Sequence, residues 1–444
     1  MNVLPKFLTA TEARQQLATG TLSCEALVRQ CFARIDEREM VIDAWQFLGR
    51  EAAIAQAQAL DKSSSKGLLH GIPMGVKDII DVAGMPTRNG SMIFADAHKA
   101  SMDAASVAMA RMAGAIPFGK TVTTELAGFT PGRTRNPRNL EHTPGGSSSG
   151  SAAAVADGHV PLAIGTQTSG SVIRPAAYCG VFGFKPSFGL IPRGGVKLQS
   201  DTLDTVGVFA RSVDDLALWY AAMTGARATF LDQPSHQNSH QNSPQNSRSL
   251  RINIITRLLD HADMEMGVTV AEASDVLSTA GVKIRDIKLP AIFDDAEADQ
   301  RLIQLSEMAR HYAWEHAEYR DLLSSQLANA LDEGARISKE AYRQAMQRSD
   351  VLRKQADNLF GDCDAWLMPA APGGAPKGLD ATGDPVFNRL PTLLHQPAIN
   401  VPHYQTKAGL PLGLQLVGMR HQDEKLLNVA RQVQALLKAH QDVY

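Results

Sequence analysis

Residues 144–187, PGGSSSGSAAAVADGHVPLAIGTQTSGSVIRPAAYCGVFGFKPS, carry more structural information than any other part of the chain. The segment is dense in Gly, Ser, Ala and Thr and almost free of charge, a composition that usually indicates a flexible linker. Strand-like residues (Val160, Leu162, Ile164) and aromatic residues interrupt it, and a linker would not carry them. We therefore interpret this segment as packed core.

Outside this segment, short apolar runs broken by glycine alternate with helical patterns from about residue 70 onward. This alternation predicts an α/β fold. Residues 9–38 predict two amphipathic helices separated by Gly20, and RINIIT at 251–256 predicts a strand. Long charged helices are expected over 300–360. The segment 397–420 predicts two core strands joined by a glycine-containing turn, with a closing helix after them.

Composition excludes several classes of protein. The 444 residues carry a formal net charge of −2, without the basic excess of a protein that binds nucleic acid or anionic membranes. Four cysteines without CxxC spacing indicate reduced, buried thiols. The N-terminus lacks a signal-peptide pattern and no apolar run is long enough to span a bilayer, so we expect a soluble cytoplasmic protein.

Two motifs suggest chemistry that their context does not support. Gly114, Gly119, Lys120 and Thr121 have phosphate-loop spacing, but a helix precedes them where a strand is needed. The Ser-x-x-Lys spacing at residues 63–66 lacks its companion elements and indicates a loop.

One low-complexity segment indicates neither a catalytic site nor a part of the hydrophobic core. The polar near-repeat SHQNSHQNSPQNS at 235–247 indicates a surface loop. Metal binding by His236 and His240 in that segment is not expected.

The serine-rich segment itself carries the strongest catalytic pattern. Gly145–Ser151 precedes a helix of small residues, and a predicted strand then ends in Gly165–Pro175. A serine hydroxyl becomes nucleophilic when a base accepts its proton, and its oxyanion needs preorganised donors. Backbone amides of Thr168, Ser169, Gly170 and Ser171 could supply those donors where the strand meets the next helix.

The base in such a site could be a lysine. No histidine occurs between His159 and His236, whereas Lys77 lies among apolar residues. Burial would lower its pKa from about 10.4, and a drop of three units costs about 4 kcal/mol. From the residues alone, a surface lysine beside Asp78 remains the alternative.

Five segments resemble the amidase signature family, in the family's order along the chain. They are 144–187, GIPMGVKDIIDVAGMPT (71–87), GAIPFGKTVTTELA (114–127) and the closing PAINVP and LPLGLQLVG. The resemblance implies one α/β domain with a large mixed central sheet and helices on both faces. It also implies a triad of Lys77, Ser147 and Ser171, a cis Gly146–Ser147 peptide bond, and an oxyanion hole formed by the backbone of 168–171.

The resemblance further implies an organisation and a reaction. We expect N-terminal helices in 1–70, the signature core in 71–230, a low-complexity loop in 231–250, a helical substrate-cleft region in 251–380, and core strands with a closing helix in 381–444. A neutral Lys77 would receive the proton that Ser147 takes from Ser171, and an acyl-enzyme would follow. No metal or organic cofactor is implied, and a small amide is the expected partner, with homodimerisation as the assembly to test.

Two departures from the common family pattern bear on the substrate. Gln167 stands where most members have Asp, and Ser169 stands where most have Gly. Gln167 and the spacing between Ser171 and Arg174 are similar to those of malonamidase-like members. Arg174 could grip a substrate carboxylate or tie down the loop, and Ser148 and Gln167 complete the expected substrate-binding set.

The leading hypothesis is a stand-alone amidase for small, malonamate-like amides. The alternatives are the glutaminase subunit of a tRNA-dependent amidotransferase and a non-catalytic family member.

Overall fold

A mixed sheet of eleven strands forms the centre of the molecule. The structure is a computed structural model that describes residues 7–64, 66–226 and 249–441. The strands are β1 (Trp45–Leu48), β2 (Pro73–Lys77), β3 (Ile116–Thr121), β4 (Leu162–Gln167), β5 (Phe182–Lys185), β6 (Thr205–Ala210), β7 (Arg251–Ile255), β8 (Lys283–Ile287), β9 (Ala365–Pro369), β10 (Ala398–Gln405) and β11 (Pro411–Val417).

The strand order is β1-β3-β2-β4-β6-β5-β10-β11-β9-β7-β8. Strands β3, β2 and β4 are mutually parallel, as are β9, β7 and β8. The other pairings are antiparallel. The expected mixed sheet of the α/β fold is confirmed.

Fourteen helices connect these strands within the described residues. They are α1 (Ala10–Thr19), α2 (Cys24–Ile42), α3 (Arg50–Asp61), α4 (Ala105–Met112), α5 (Ser149–Ala156), α6 (Ile173–Cys179), α7 (Val213–Thr224), α8 (Met264–Thr279), α9 (Ala296–His311), α10 (Ala313–Glu318), α11 (Ser325–Arg336), α12 (Lys339–Phe360), α13 (Val386–Leu393) and α14 (Asp423–Gln441).

Helices cover both faces of the sheet, and strand β9 shows how. Its side chains alternate between two apolar clusters because successive residues of a strand point to opposite faces. Ala365 and Leu367 join the large cluster that contains α14, whereas Trp366 and Met368 join the cluster that contains α12 and part of α6. The central strands are buried along their whole length, which explains their high content of apolar residues.

The two N-terminal helices each begin at a residue whose side chain caps them. The side chain of Thr9 accepts from the backbone amide of Glu12, whose carboxylate accepts from the amide of Thr9 in return. Ser23 caps α2 by accepting from the amide of Ala26. These bonds satisfy amides that have no partner inside the helix.

The region 251–380 departs from its helical expectation, because it also contributes β7, β8 and β9 to one end of the sheet. Strand β8, KIRDI, is an edge strand with mostly exposed side chains. Charged side chains are tolerated at a sheet edge, so this strand lacks the apolar signal of the buried ones.

The motif at Gly114–Thr121 has the order expected from the sequence, with helix α4 before it and β3 within it. Lys120 lies fully buried in β3, with its Nζ 3.0 Å from an oxygen of Asp78. The Ser63–Lys66 motif lies between α3 and β2, and the repeat at 235–247 lies outside the described residues.

The described residues lack two kinds of feature. None of their helices has the length and apolarity to cross a membrane. No group of three or more His, Cys, Asp or Glu side chains among them is arranged to hold a metal ion.

Candidate active site

The site forms where the carboxyl ends of two neighbouring parallel strands meet. Strands β2 and β4 pair in parallel, with Val76 opposite Ile164. Lys77 is the last residue of β2, and Gln167 is the last residue of β4. The carboxyl ends of parallel strands open at the same sheet edge, which brings the two predicted catalytic segments together.

Lys77 has no exposed surface, so the surface-lysine alternative is wrong. Its Nζ lies 2.7 Å from the Oγ of Ser147 and 2.9 Å from the Oγ1 of Thr166 on β4. Both neighbours are hydroxyls, which leaves the amine without a direct carboxylate partner in the described structure. Burial lowers the pKa of Lys77 to about 7, and the charge of Asp204 opposes this shift in part. A lysine in this setting is neutral in a large fraction of molecules near pH 7 and can accept a proton.

Ser147 lies beside the beginning of α5, and the Gly146–Ser147 peptide bond is cis, as the family resemblance implied. Its carbonyl accepts a hydrogen bond from the amide of Thr124, and its side chain is almost fully buried. The hydroxyl therefore faces the Lys77 amine from inside the protein.

Ser171 lies on the other side, in a cleft of about 340 Å³. Its side chain is partly exposed, and within the described structure its hydroxyl makes no hydrogen bond. The structure thus contains the contact between Lys77 and Ser147 but no hydrogen bond from Ser147 to Ser171. Such contacts are often loose before substrate binds.

In the loop 168–171, hydrogen bonds fix three backbone carbonyls and thereby the direction of the neighbouring amides. The carbonyls of Thr168, Ser169 and Gly170 accept hydrogen bonds from Gln300, Thr392 and the amide of Arg174, respectively. A trans peptide directs its N–H opposite to its C=O. The amides of residues 169–171 consequently point the other way, and they have no acceptor among the described residues. Free, fixed amides of this kind can bind an oxyanion.

The sequence matches the Amidase family over residues 26–427. This chain belongs to the amidase family.

Curated relatives of this amidase-family chain cover nearly its whole length. One is a glutamyl-tRNA(Gln) amidotransferase subunit of Prochlorococcus marinus (strain NATL2A), which is 30% identical over 98% of both chains. The corresponding subunit of Synechococcus sp. (strain WH7803) is 32% identical over 96% of both. These relatives do not support the narrower expectation of a malonamidase-like chain.

Solved structures of amidases share the fold. One, described as the crystal structure of amidase, has a TM-score of 0.85 and 27% identity, covering 98% of this chain and 100% of that one. The peptide amidase of Stenotrophomonas maltophilia has a TM-score of 0.79 and 26% identity, covering 97% of both chains.

Gln167 and Ser148 do not lie where substrate contact requires, because both are fully buried in this amidase-family chain. The Oε1 of Gln167 accepts from the amides of Val172 and Ile173, and its Nε2 donates to Thr392. The Oγ of Ser148 exchanges hydrogen bonds with the backbone of β4. The two side chains hold the loop and α5 in place, and the expectation that they contact substrate is not met.

Arg174 lines the cleft, yet its guanidinium already donates hydrogen bonds to three acceptors within the protein. It donates to the carbonyls of Gly383 and Gly146 at 2.8 and 2.7 Å and to the Oγ1 of Thr382 at 3.1 Å. Its Nε is buried and has no hydrogen-bond partner among the described residues. Of the two roles expected for Arg174, the tie between the segment 382–383 and the peptide before Ser147 is the one visible in this structure.

Sequence reasoning missed four residues of the site: Thr166, Asp204, Gln300 and Thr392. Thr166 lies within the quoted segment, on β4 two residues after Ile164, which pairs with Val76 next to Lys77, so the strand register could have indicated it. Asp204 is fully satisfied by Thr168 and two amides, and its pKa is raised by burial. Gln300 and Thr392 are far away in sequence, and no local pattern indicates them.

Proposed function

We propose that this chain hydrolyses a carboxylic amide with Ser171 as nucleophile, through an acyl-enzyme. The observation that carries the proposal is the buried Lys77 amine, whose pKa lies near 7 and which contacts Ser147 beside the cleft that holds Ser171. A buried lysine without a carboxylate partner is unfavourable for folding, and proton transfer gives it a purpose.

The proton moves along two hydroxyls. The neutral amine accepts the Ser147 proton while donating to Thr166, and Ser147 takes the proton of Ser171. The Ser171 oxygen bonds to the amide carbon, and the amides of residues 169–171 hold the oxyanion. The C–N bond then breaks, and the relay returns the proton to the departing ammonia or amine. Water then gives a proton to the relay and attacks the acyl carbon. The bond from this carbon to the Ser171 oxygen breaks, and the relay returns the proton to that oxygen as the acid leaves.

The first experiment measures ammonia release by the purified chain from glutamine, asparagine, malonamate, acetamide and benzamide. We expect Ser171→Ala to abolish the release and Ser278→Ala to leave it unchanged, since Ser278 is an exposed residue of α8. A fluorophosphonate should label wild-type Ser171 only. Full activity of Ser171→Ala would refute the proposed nucleophile and revive the non-catalytic alternative.

A second candidate function is the glutaminase subunit of an amidotransferase. It is favoured by the relatives named as glutamyl-tRNA(Gln) amidotransferase subunits, which are 30–32% identical over nearly the whole chain. These relatives favour the subunit hypothesis over the malonamate hypothesis.

The two hypotheses differ in what the chain needs for turnover. One component of a larger complex would hydrolyse glutamine efficiently only with its partner proteins, ATP and charged tRNA present. A stand-alone amidase would reach its full rate alone. Measuring glutamine hydrolysis by the isolated chain, with and without co-purified proteins from its source cells, separates them.

The narrower proposal of malonamate-like substrates rests on Arg174, which lines the cleft. If Arg174 binds a substrate carboxylate, Arg174→Ala should raise KM for malonamate far more than for acetamide. If it acts only as the tie between 382–383 and Gly146, both amides should lose rate alike. Equal losses would end the carboxylate proposal.

A further inference from the structure

Two side chains from outside the serine-rich segment hold the loop 168–171. They bond to its carbonyls, on the side that we call the rear, opposite to its free amides. Gln300 of α9 donates from Nε2 to the Thr168 carbonyl at 3.0 Å. Thr392 of α13 donates from Oγ1 to the Ser169 carbonyl at 2.9 Å. Helices α9 and α13 also contact each other, so the two donors belong to one packed unit.

The acceptor fixes the orientation of the Gln300 amide, whereas Thr392 shares its one hydroxyl hydrogen between two carbonyls. A carbonyl oxygen can only accept, so the amide nitrogen of Gln300 must face Thr168. The same nitrogen lies 3.0 Å from the Oγ of Ser169. Gln167 donates to the Thr392 oxygen, so the Thr392 hydroxyl hydrogen turns toward the Ser169 carbonyl and the neighbouring carbonyl of Asn388.

Neither donor reaches the cleft. Gln300 is 0% exposed and Thr392 is 2% exposed, and neither is among the side chains that line the cleft. Their hydrogen bonds nevertheless determine the orientation of two successive peptide planes. Each plane carries a carbonyl on its rear side and an amide, of Ser169 or Gly170, on its cleft side.

We infer that Gln300 and Thr392 are positioning residues that hold the oxyanion-binding amides toward the cleft. The inference rests on the proposed function, because it assigns a purpose to the loop of that same site. Without the two donors, the peptides of the loop can rotate, and the amides lose the preorganisation that makes them effective donors to a developing oxyanion.

The test measures the rate at which a fluorophosphonate labels Ser171, together with kcat and KM for the amide that the substrate panel identifies. Thr392→Val removes the hydroxyl at nearly constant volume, and Gln300→Met removes the amide at similar length. We expect each variant to lower the labelling rate and kcat by about tenfold or more, with KM changed little.

Three readouts separate positioning from general damage. The midpoint of the pH profile should stay at the wild-type value, because Lys77 and Ser147 are untouched, while the plateau falls. Thr392→Ser restores the hydroxyl and should recover most of the rate lost in Thr392→Val. Gln56→Met is the matched control, since Gln56 makes the same kind of bond, to the Ala115 carbonyl at 3.0 Å, in a different part of the fold.

The outcomes are distinct. Wild-type labelling rates in folded Gln300→Met and Thr392→Val would overturn this inference and leave the proposed function standing. An equal loss in Thr392→Ser and Thr392→Val would overturn it as well, because the hydroxyl would then not matter. Failure of the wild-type chain to label at Ser171 would refute the proposed function, and this inference with it.

Discussion

Among single residues, Lys77 has the largest consequence because its protonation controls the proposed nucleophile. Burial sets its pKa at about 7, and only the neutral amine can accept the proton of Ser147. We expect kcat to rise about tenfold per pH unit below the pKa and to level off above it. A pH series from 5.5 to 9 on the best amide measures this. A flat profile would contradict a lysine base.

Lys77→Met should inactivate the enzyme and stabilise the fold at neutral pH. The unfolded lysine titrates near 10.5 and the folded one near 7, so the unfolded chain binds more protons between these values. Wild-type stability therefore rises with pH in that window, and the advantage of Lys77→Met should shrink by about 3 kcal/mol between pH 7 and pH 9.5.

Denaturant unfolding of both proteins at the two pH values gives this difference directly. Groups other than Lys77 titrate alike in the two proteins and cancel. The loss of contacts to Ser147 and Thr166 affects both pH values equally. An advantage that does not change with pH would show that Lys77 is charged in the folded state.

The residue scale also shows what the sequence could not reveal about the site. Lys77, Ser147 and Ser171 lie in recognisable motifs. The structure places the Lys77 amine against the Ser147 hydroxyl and Ser171 in the cleft, and their catalytic roles stay a prediction. The contacts of Gln167 and Ser148 could not be predicted, because a buried polar side chain finds its partners only after folding. Gln167 bonds to Thr392, which is 225 residues away in sequence.

Among the elements, the close crossing of α9 and α11 depends on Gly334. A Cβ at this position would lie 2.1 Å from the Leu305 carbonyl oxygen and 2.9 Å from the Ala309 side chain, both on α9. Gly334→Ala would push α9 away, and overpacking of this kind costs on the order of 1–3 kcal/mol. We expect a lower melting temperature and a lower kcat, since α9 carries Gln300.

A matched substitution provides the control. Gly267 lies in α8, and no atom of the described part of the chain is within 4 Å of an added Cβ. Gly267→Ala should stabilise the protein by about 0.5–1 kcal/mol through helix propensity, with kcat unchanged. If Gly334→Ala behaves like Gly267→Ala, the crossing is not as tight as the contacts indicate.

Helices and strands could be predicted from the sequence where a capping residue marks the start of a helix or where apolar residues dominate a strand. The first two helices have clear capping residues. The closing strand β11 is almost entirely apolar, and β10 is mostly apolar in its first half. Strand β8 was missed because its edge position removes the apolar pattern. The role of α9 was missed because its buried Gln300 and Gln304 look like surface residues in a charged helix.

At the scale of the whole molecule, the reactivity of the four cysteines measures unfolding of the protein. All four are buried and free, and burial raises the pKa of each thiol, to about 12 for Cys24, Cys31 and Cys179. We expect a disulfide reagent at pH 8 to label none of them in the native state and all four after unfolding. Rapid labelling of a native thiol, or inactivation by the reagent, would contradict this.

The fold class could be predicted from the sequence, but the number of strands in the sheet could not. The family motifs implied a large mixed sheet, and the structure confirms it with eleven strands. Strands β7, β8 and β9 extend the sheet far beyond the motifs, and the pairing of β7 with β9 joins segments more than 100 residues apart. The division into five segments stays a prediction, since all described parts of the chain pack around one sheet.

Helix α9 both borders the cleft, through Arg301, Gln304 and Leu305, and supplies Gln300 to the rear of the loop. Anyone who randomises this helix to obtain an enzyme for a new amide will disturb turnover at the same time. Libraries that keep position 300 fixed should therefore yield far more active clones than libraries that vary the whole helix.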